Sequence, residues 1–167
     1  MNTPVKLNQL NLIEIENRMS VPSYSRTNQD IDIIHIGVGG FHRAHLAYYV
    51  HLLKKEGAST SICGIGLREG DRKIQDALIN QDYLYTLIVK HPNGKIAPEV
   101  IGSIVDFELG VEDPEAVIER MAFSSIKIIS LTITEGGYNF DPATGEFNFD
   151  NLEIQHEIRN PQEPKTI

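Results

Sequence analysis

Cysteine, basic clusters and long apolar runs are what this 167-residue chain has least of. Its single cysteine, Cys63, excludes an internal disulfide and is typical of proteins in a reducing compartment. Aspartate and glutamate outnumber lysine and arginine by 23 to 15, and the net charge of −8 disfavours nucleic acid and anionic membranes as partners. No stretch approaches the ~20 consecutive apolar residues of a membrane span. We therefore expect a cytoplasmic protein that binds neither nucleic acid nor membrane.

The length suits one domain, since domains commonly have ~100–200 residues. Residues 1–29 are predicted to be an N-terminal arm and linker, and residues 30–167 the domain itself. The segment MNTPVKLNQLNLIEIENRMS lacks the uninterrupted apolar core of a signal peptide. The closing residues NPQEPKTI stop just after a proline, where a helix could begin. We therefore expect a fragment of a longer chain, with a disordered end as the alternative.

Apolar periodicity predicts strands that alternate with helices. The predicted strands are 31–36, 61–67, 83–90, 99–107 and 126–132, the first and last of them buried. The predicted helices are 41–55, 72–80, 113–122 and 152–158. Asn93-Gly94 joins 83–90 to 99–107 as an antiparallel hairpin, and 138–149 is expected to be a second hairpin. The predicted fold class is α/β, with a mostly parallel open sheet and an antiparallel hairpin insertion.

Gly37-Val38-Gly39-Gly40 lies between the first predicted strand and the first predicted helix. In a dinucleotide-binding fold the first glycine permits a tight turn, and the second lets the backbone approach a pyrophosphate at the helix N-terminus. Arg43 could add positive charge near the phosphates. His42 stands where a third small residue is usual, so a plain strand-to-helix turn is the alternative.

Charged residues follow the second predicted strand, where a dinucleotide fold places an acid for the ribose hydroxyls. Glu69 and Asp71 lie 29 and 31 residues after Gly40, a longer gap than the usual ~20. A carboxylate there favours NAD, because it would repel the 2′-phosphate of NADP. Arg68 and Arg72 soften that preference, so NADP stays an alternative, as does an exposed charged loop with no ligand.

Polar residues also follow the last predicted strand, in the segment SLTITEGGY. Ligands of open α/β sheets bind beyond the carboxyl ends of the strands, so this segment is expected to share a crevice with the glycine turn. Thr132, Thr134 and Glu135 could contact a ribose or the nicotinamide amide. An ordinary polar turn is an equally good interpretation.

Histidines near the glycine turn raise the question of a metal. His42 and His45 are three residues apart, but a metal site needs a further ligand, and none is evident. We therefore predict no metal site and assign the two histidines to packing or hydrogen bonding beside the cofactor loop. His35 is predicted to be a satisfied core histidine. No nucleophile elbow, P-loop lysine or acid/base pair is present, so no catalytic residue is predicted.

Six segments resemble the long-chain mannitol dehydrogenase family, whose members are NAD(P)-dependent, metal-independent polyol dehydrogenases. They occur in the same order as in that family: GVGGFHRAH, CGIGLREGD, QDYLYTL, IGSIVDF, SLTITEGGY and NPQEPKTI. The similarity covers roughly residues 30–167 and implies a Rossmann-like domain that binds a nicotinamide dinucleotide. GVGGFHRAH and GLREGD are more similar to mannitol 2-dehydrogenases than to fructuronate reductases. A fructuronate reductase or an arabinitol dehydrogenase-type member is the alternative.

The resemblance also implies residue roles. A histidine at position 42 is normal for the family, Asp71 with Glu69 becomes the ribose-binding acid, and the stretch 131–135 belongs to the nicotinamide side. Family members are roughly three times longer, and their catalytic lysine lies in a C-terminal helical domain that is absent here. A sugar alcohol or ketose is therefore expected to bind only with that domain. Pattern and resemblance together predict these cofactor-binding residues: Ile36, Gly37, Val38, Gly39, Gly40, Phe41, His42, Arg43, Arg68, Glu69, Asp71, Leu131, Thr132, Thr134 and Glu135.

Three other interpretations compete. A catalytically dead nucleotide-binding or interaction module would keep the same glycine turn, and a flavin could occupy the same site. A methyltransferase usually has an acid just before the first glycine, where this chain has His35-Ile36.

Overall fold

The computed structural model describes residues 4–27, 29–133 and 135–166, with Glu135 described for its backbone alone. Two compact units divide the chain, Met1–Thr132 and Ile133–Ile167. Within the described residues, no helix is long and apolar enough to cross a membrane.

In the described part of the first unit, six strands form two separate sheets. The strands are β1 (Ile33–Ile36), β2 (Ile62–Gly66), β3 (Tyr85–Lys90), β4 (Ile96–Ile101), β5 (Ile104–Leu109) and β6 (Ile128–Leu131). The four-stranded sheet has the order β5-β2-β1-β6, and its three strand pairs are all parallel. β3 and β4 form an antiparallel pair. This is the predicted α/β fold class, a Rossmann-like parallel sheet with an antiparallel insertion.

The residues that the structure describes also form six α-helices: α1 (Leu12–Glu16), α2 (Gly40–Ala44), α3 (Leu46–Lys55), α4 (Arg72–Ile79), α5 (Pro114–Met121) and α6 (Leu152–Arg159). α5 begins as its sequence predicts, because the Asp113 carboxylate accepts a hydrogen bond from the Ala116 amide at 2.9 Å and proline occupies the first turn. Gly57, with φ of +97°, lies just beyond the end of α3 and allows the chain to reverse there.

The parallel sheet carries a core on each face. On one face Ile33 and Ile62 pack with Val50 of α3 and Leu78 of α4. The other face is covered by α5, where Val117 is buried in one cluster with Ile34, Cys63 and Ile65. β2 is buried along its whole length, which is why its sequence is an apolar run without alternation.

The N-terminal arm packs on the antiparallel pair within the same unit. Leu12 and Ile15 of α1 are buried in one cluster with Val100 of β4. Arg26 donates hydrogen bonds to the backbone carbonyls of Gly102 at 3.0 Å and Asp82 at 2.8 Å. The arm belongs to the compact unit that extends to Thr132.

The predicted strand 99–107 is wrong as a single element, because it is divided between β4 and β5, which lie in different sheets. Gly102 lies at the break, and a Cβ there would come within 2.8 Å of the Arg26 side chain. The chain leaves one sheet at this glycine because the arm fills the space above it. Apolar periodicity did not report the break, since residues on both sides of it are buried.

Two further predictions need correction. The helix predicted over 41–55 is interrupted at His45, whose backbone has φ of −124° and ψ of −92°, so α2 and α3 are separate helices. The last strand was expected to be buried, but β6 is the edge of the sheet, and Ile128, Ile129 and Leu131 are about half exposed.

The second unit also departs from its prediction. The expected hairpin 138–149 is reduced to one antiparallel bridge, between Phe140 and Phe147, and a short 3-10 helix covers Glu135–Tyr138. The predicted helix 152–158 is confirmed as α6, which Asn151 caps by accepting a hydrogen bond from the Glu153 amide at 2.8 Å. The turn signal in this segment therefore produced a single bridge and no strands among the described residues.

Gly64→Ala is expected to destabilise the fold. A Cβ at this buried position of β2 would lie 2.5 Å from Val38 Cγ2 and 3.1 Å from Phe107 Cδ2. Overpacking of this kind costs about 1–3 kcal/mol in the free energy of unfolding. Gly70→Ala is the matched control, because a Cβ there meets no heavy atom within 4 Å. Denaturant unfolding of both variants measures the difference, and equal stabilities would contradict the expectation.

Candidate functional site

The carboxyl ends of β1 and β6 meet at the glycine turn, which is where open α/β sheets form their ligand crevice. Gly37 follows β1 with φ of +90°, a conformation that favours glycine. Its amide donates to Ile65 O of β2 at 2.9 Å, while the Thr132 amide, just after β6, donates to Ile36 O at 3.0 Å. A Cβ at Gly37 would lie 3.1 Å from Thr132 O, so glycine also permits this close approach. The order β5-β2-β1-β6 places the crevice where the direction of strand addition reverses, between β1 and β6.

Open space lies above the second part of the glycine turn. Gly39 has an extended backbone, with φ of −83° and ψ of −173°, and a Cβ at Gly39 or Gly40 would meet no heavy atom within 4 Å. Arg43 braces the turn from inside by donating to Val38 O at 3.0 Å. Phe41 is 66% exposed, on the first turn of α2. The hydrogen bond from Arg43 thus holds one side of the turn, which we call the lower side. The other side, at Gly39 and Gly40, is open and is called the upper side.

The acidic residues predicted after β2 lie in a short 3-10 helix, Glu69–Asp71. One Asp71 oxygen, Oδ2, accepts a hydrogen bond from the Arg68 amide at 3.0 Å. Glu69 is exposed and pairs with Arg72 at 3.3 Å, and Arg72 also pairs with Glu112. Ion pairing with these two carboxylates raises the pKa of Arg72. Asp71 is therefore oriented at the carboxyl end of β2, whereas Arg72 is drawn towards other acids.

His35 and His42 form a stacked pair beneath the turn, with ring centroids 3.6 Å apart and planes 12° apart. Both side chains are buried, at 3% and 1% exposure. His35 is a satisfied core histidine, as predicted, because its two ring nitrogens lie 2.9 Å from Ser130 Oγ and 3.0 Å from Thr132 Oγ1. Neither ring nitrogen of His42 has a hydrogen-bond partner in the part of the chain that the structure describes.

Burial keeps both histidines uncharged. It lowers the pKa of His42 to about 3, with the neighbouring His35 and Arg43 adding to the shift. Burial also lowers the pKa of His35, while a backbone hydrogen bond with Gly37 opposes that shift. A neutral ring in close contact with another neutral ring is compatible with this stacking, whereas two imidazolium ions would repel each other.

Two residues that support the turn were missed by reasoning from the sequence. Tyr85 of β3 donates from its hydroxyl to Arg43 O at 2.6 Å and so braces the end of α2. Burial raises the pKa of Tyr85, which keeps this donor protonated. Gly64 of β2 leaves room for Val38. No sequence signal indicates either contact, since Tyr85 is 42 residues from Arg43 along the chain.

The residues predicted after β6 are only partly described. Leu131 is 46% exposed, and Thr132 ends the first unit beside Gly37. Thr134 and the side chain of Glu135 lie outside the described residues. The structure therefore brings the glycine turn and Thr132 together, with Asp71 one strand away. All three lie at the carboxyl ends of the parallel strands.

A second cluster of ionisable groups lies on the α5 face of the sheet. The side chains of Asp106 and Glu108 offer oxygens within 4.8 Å of one another and of the Cys63 thiol. Both carboxylates pair with Arg120, at 2.7 Å for Asp106. Burial raises the pKa of the Cys63 thiol to about 12. A thiol that keeps its proton and carboxylates that are already paired with Arg120 are poor metal ligands. The cluster is therefore better described as an ion-pair network.

Comparison with known proteins gives a family match over residues 31–167, to the model described as the mannitol dehydrogenase Rossmann domain. A mannitol 2-dehydrogenase of Aspergillus clavatus is 44% identical over 98% of this chain and 34% of its own length. One of Pyricularia oryzae is 43% identical over 92% of this chain and 31% of its own length. This chain thus spans about a third of the length of these relatives.

A solved structure is similar in fold as well as sequence. The Pseudomonas fluorescens mannitol 2-dehydrogenase, in a ternary complex with NAD and D-mannitol, superposes with a TM-score of 0.83 at 45% identity. The match covers 98% of this chain and 34% of that one. A D-sorbitol dehydrogenase in substrate-free form superposes with a TM-score of 0.79 at 34% identity, over 98% of this chain and 34% of that one.

The buried His42 is expected to make the fold sensitive to acid. Its pKa is about 3 in the folded chain against 6.5 in the unfolded chain, so the unfolded state binds more protons between these values. Stability is therefore lost as pH falls below the unfolded value, by about 1.4 kcal/mol per pH unit for one such group. His42→Phe keeps an aromatic ring in the stack. It should lower the pH dependence of the free energy of unfolding by the contribution of one proton.

Denaturant unfolding between pH 7 and pH 4 measures the slope. The control is His91→Gln, which changes an exposed loop histidine and should leave the slope unaltered. An unchanged slope in His42→Phe would show that protonation of this ring does not oppose folding.

Proposed function

This chain belongs to the mannitol dehydrogenase family, and from that premise we propose that it forms the NAD-binding domain of a mannitol 2-dehydrogenase. The full-length enzyme would be an NAD-dependent oxidoreductase that transfers hydride between mannitol and fructose. Support comes from relatives that bear this name at 43–44% identity and from the solved relative that holds NAD and D-mannitol.

One observation in this chain carries the proposal. A Cβ at Gly39 or Gly40 would meet no heavy atom of the described residues within 4 Å, and both glycines lie at the point of the sheet where dinucleotides bind. A structural turn with no ligand would gain from side chains that cover it, because they would reduce the entropy of the unfolded chain. The contacts of the described residues do not require glycine at either position. Two such adjacent glycines suit the close approach of a ligand's phosphates.

The remaining predicted residues fit a dinucleotide from end to end. The stretch from Ile36 to Arg43 would hold the pyrophosphate, with Arg43 as the nearest fixed positive charge. Asp71, assisted by Glu69, would accept hydrogen bonds from the adenosine ribose, and Arg68 would lie alongside. Leu131 and Thr132, with Thr134 and Glu135, would line the nicotinamide side. NAD is preferred to NADP because Asp71 would repel a 2′-phosphate.

The chemistry of the site is limited to binding and orientation. NAD, when bound, supplies the acceptor for a hydride. The residues of this chain hold the dinucleotide and exclude water from beneath the glycine turn, where both histidine rings are buried. The resemblance to the family assigns the catalytic lysine to a C-terminal helical domain, so a sugar alcohol or ketose would be bound and oxidised or reduced with that domain. We therefore propose residues 30–167 as the cofactor domain and residues 1–29 as its arm.

The same reasoning extends to the setting of the enzyme. We propose a cytoplasmic role in carbohydrate metabolism, without nucleic acid or membrane partners. The support is the acidic net charge of −8 and a single cysteine that is buried and protonated.

Gly39→Val is expected to abolish nucleotide binding and leave the fold intact. The extended backbone accepts a β-branched residue, and the added atoms enter open space, so the stability cost is about 1 kcal/mol or less, mainly as a poorer helix cap. The same atoms would occupy the position proposed for the pyrophosphate. Calorimetric titration with NAD⁺ measures binding, with Ala58→Val as a control at an exposed position that precedes β2. Equal affinity of Gly39→Val and wild type would reject the proposed site.

Asp71→Asn is expected to change the choice between NAD and NADP. Asparagine keeps an oxygen that can accept the hydrogen bond from the Arg68 amide but removes the charge. We expect NAD⁺ affinity to fall by about tenfold and the preference over NADP⁺ to shrink or reverse, since a charged hydrogen bond contributes roughly 1.5–3 kcal/mol. Calorimetry with both dinucleotides tests this, beside Asp76→Asn as a control on an exposed carboxylate of α4. A constant ratio of the two affinities would show that Asp71 does not contact the ribose.

A further inference from the structure

We propose that His35 is a positioning residue that sets the end of β6 against the glycine turn and thereby aligns the nicotinamide side of the crevice. This inference rests on the proposed function and goes beyond it, because His35 lies outside the predicted cofactor-binding set. His35 would act through Thr132 without touching the dinucleotide, since only 3% of its surface is exposed.

Each ring nitrogen of His35 has a hydroxyl partner at the end of β6. In the parallel register His35 lies opposite Ser130, so Ser130 and Thr132 present their side chains to the same face as the histidine ring. Nδ1 is 2.9 Å from Ser130 Oγ and Nε2 is 3.0 Å from Thr132 Oγ1. The ring thus contacts two hydroxyls, that of Ser130 in β6 and that of Thr132 just after it. These contacts restrict the movement of β6 along β1.

Both ring nitrogens can be paired in either tautomer, because a serine or threonine hydroxyl can donate or accept a hydrogen bond. Ser130 Oγ also lies 3.5 Å from Ile34 O, to which its hydroxyl can donate. A neutral imidazole is the side chain that can both donate and accept across this span, and burial keeps it neutral.

The same ring is attached to the glycine turn on its other side. His42 of α2 stacks on His35 at 3.6 Å, so the first turn after the glycines is packed against the ring. Thr132 O in turn lies 3.1 Å from the position of a Cβ on Gly37. β1, α2 and the end of β6 therefore meet at His35, and a shift of this ring would change the distance between the two sides of the crevice.

Among the described residues, β6 pairs with β1 on one side and with no strand on the other. Its apolar side chains Ile128 and Ile129 are about half exposed, so packing alone holds this strand weakly. The two hydrogen bonds from His35 supply the restraint that neighbouring strands supply elsewhere. For this reason the effect of His35 is expected to be confined to β6 and the nicotinamide side, with the adenosine side beyond β2 spared.

The test compares His35→Phe with His51→Phe by calorimetry, using NAD⁺ and ADP-ribose, which lacks the nicotinamide. The phenylalanine introduced in His35→Phe keeps a ring for the stack but makes neither hydrogen bond. His51 is a matched control in α3, fully buried, with Tyr24 Oη at 2.7 Å and Glu99 Oε1 at 3.2 Å from its ring nitrogens. For His35→Phe we expect the Kd of NAD⁺ to rise about tenfold and that of ADP-ribose by less than about twofold. For His51→Phe the ratio of the two constants should equal that of wild type.

Ser130→Ala provides a second variant that removes one of the two hydrogen bonds and changes no residue of the predicted cofactor set. It should shift the same ratio in the same direction by a smaller factor. If His35→Phe weakens both ligands equally, or neither, the inference is wrong while the proposed function stands. If wild type binds neither ligand, the proposed function fails, and the inference fails with it.

Amide hydrogen exchange of the ligand-free chain gives a readout that separates positioning from general loss of stability. The Thr132 amide is bonded to Ile36 O at 3.0 Å, and the Gly37 amide to Ile65 O at 2.9 Å. In His35→Phe the Thr132 amide should exchange about tenfold faster relative to the Gly37 amide. His51→Phe should leave that ratio as in wild type. Equal acceleration at both amides would overturn the inference.

Discussion

Parallel pairing of β1 with a strand on each side is the constraint on which the rest of this structure depends. β2 and β6 both run alongside β1, so the carboxyl ends of three strands meet at one edge of the sheet. The glycine turn, the Asp71 loop and Thr132 are neighbours only because of this pairing. Gly37 contributes a positive φ, and its missing side chain lets the end of β6 approach. The predicted binding residues come from three separate parts of the chain, and strand pairing brings them together.

Polar groups buried beneath the turn refine this arrangement. The turn is braced by Arg43 on the Val38 carbonyl and by the Tyr85 hydroxyl on the Arg43 carbonyl. Two neutral histidines fill the space below it, one fully hydrogen-bonded and the other without partners among the described residues. The uncharged underside and the open space at Gly39 and Gly40 make the upper side of the turn the place proposed for an anionic ligand. The proposed role in NAD binding follows from that contrast.

Much of the fold was predictable because local signals and tertiary structure agreed. The strand at β2 is an apolar run and is buried on both faces, and α5 begins at the Asp113-Pro114 cap that its sequence indicates. The predictions failed where the environment of a segment is decided elsewhere in the chain. The break at Gly102 depends on Arg26, and the exposure of β6 depends on its place at the sheet edge. The interruption of the helix at His45 also had no local signal, since its neighbours have ordinary helical spacing.

For the candidate site, the amino-acid sequence by itself determined the chemistry that is available. It specified glycines after a strand, an acid after the next strand and hydroxyls after the last one, and the similarity of six segments identified the family. Only the tertiary structure decided which of these groups meet and which residues hold them in place. The contacts of His35 with Ser130 and Thr132, of Tyr85 with Arg43, and of Gly64 with Val38 join residues far apart along the chain. Such contacts follow from strand order and register, which periodicity does not encode because it describes each element separately.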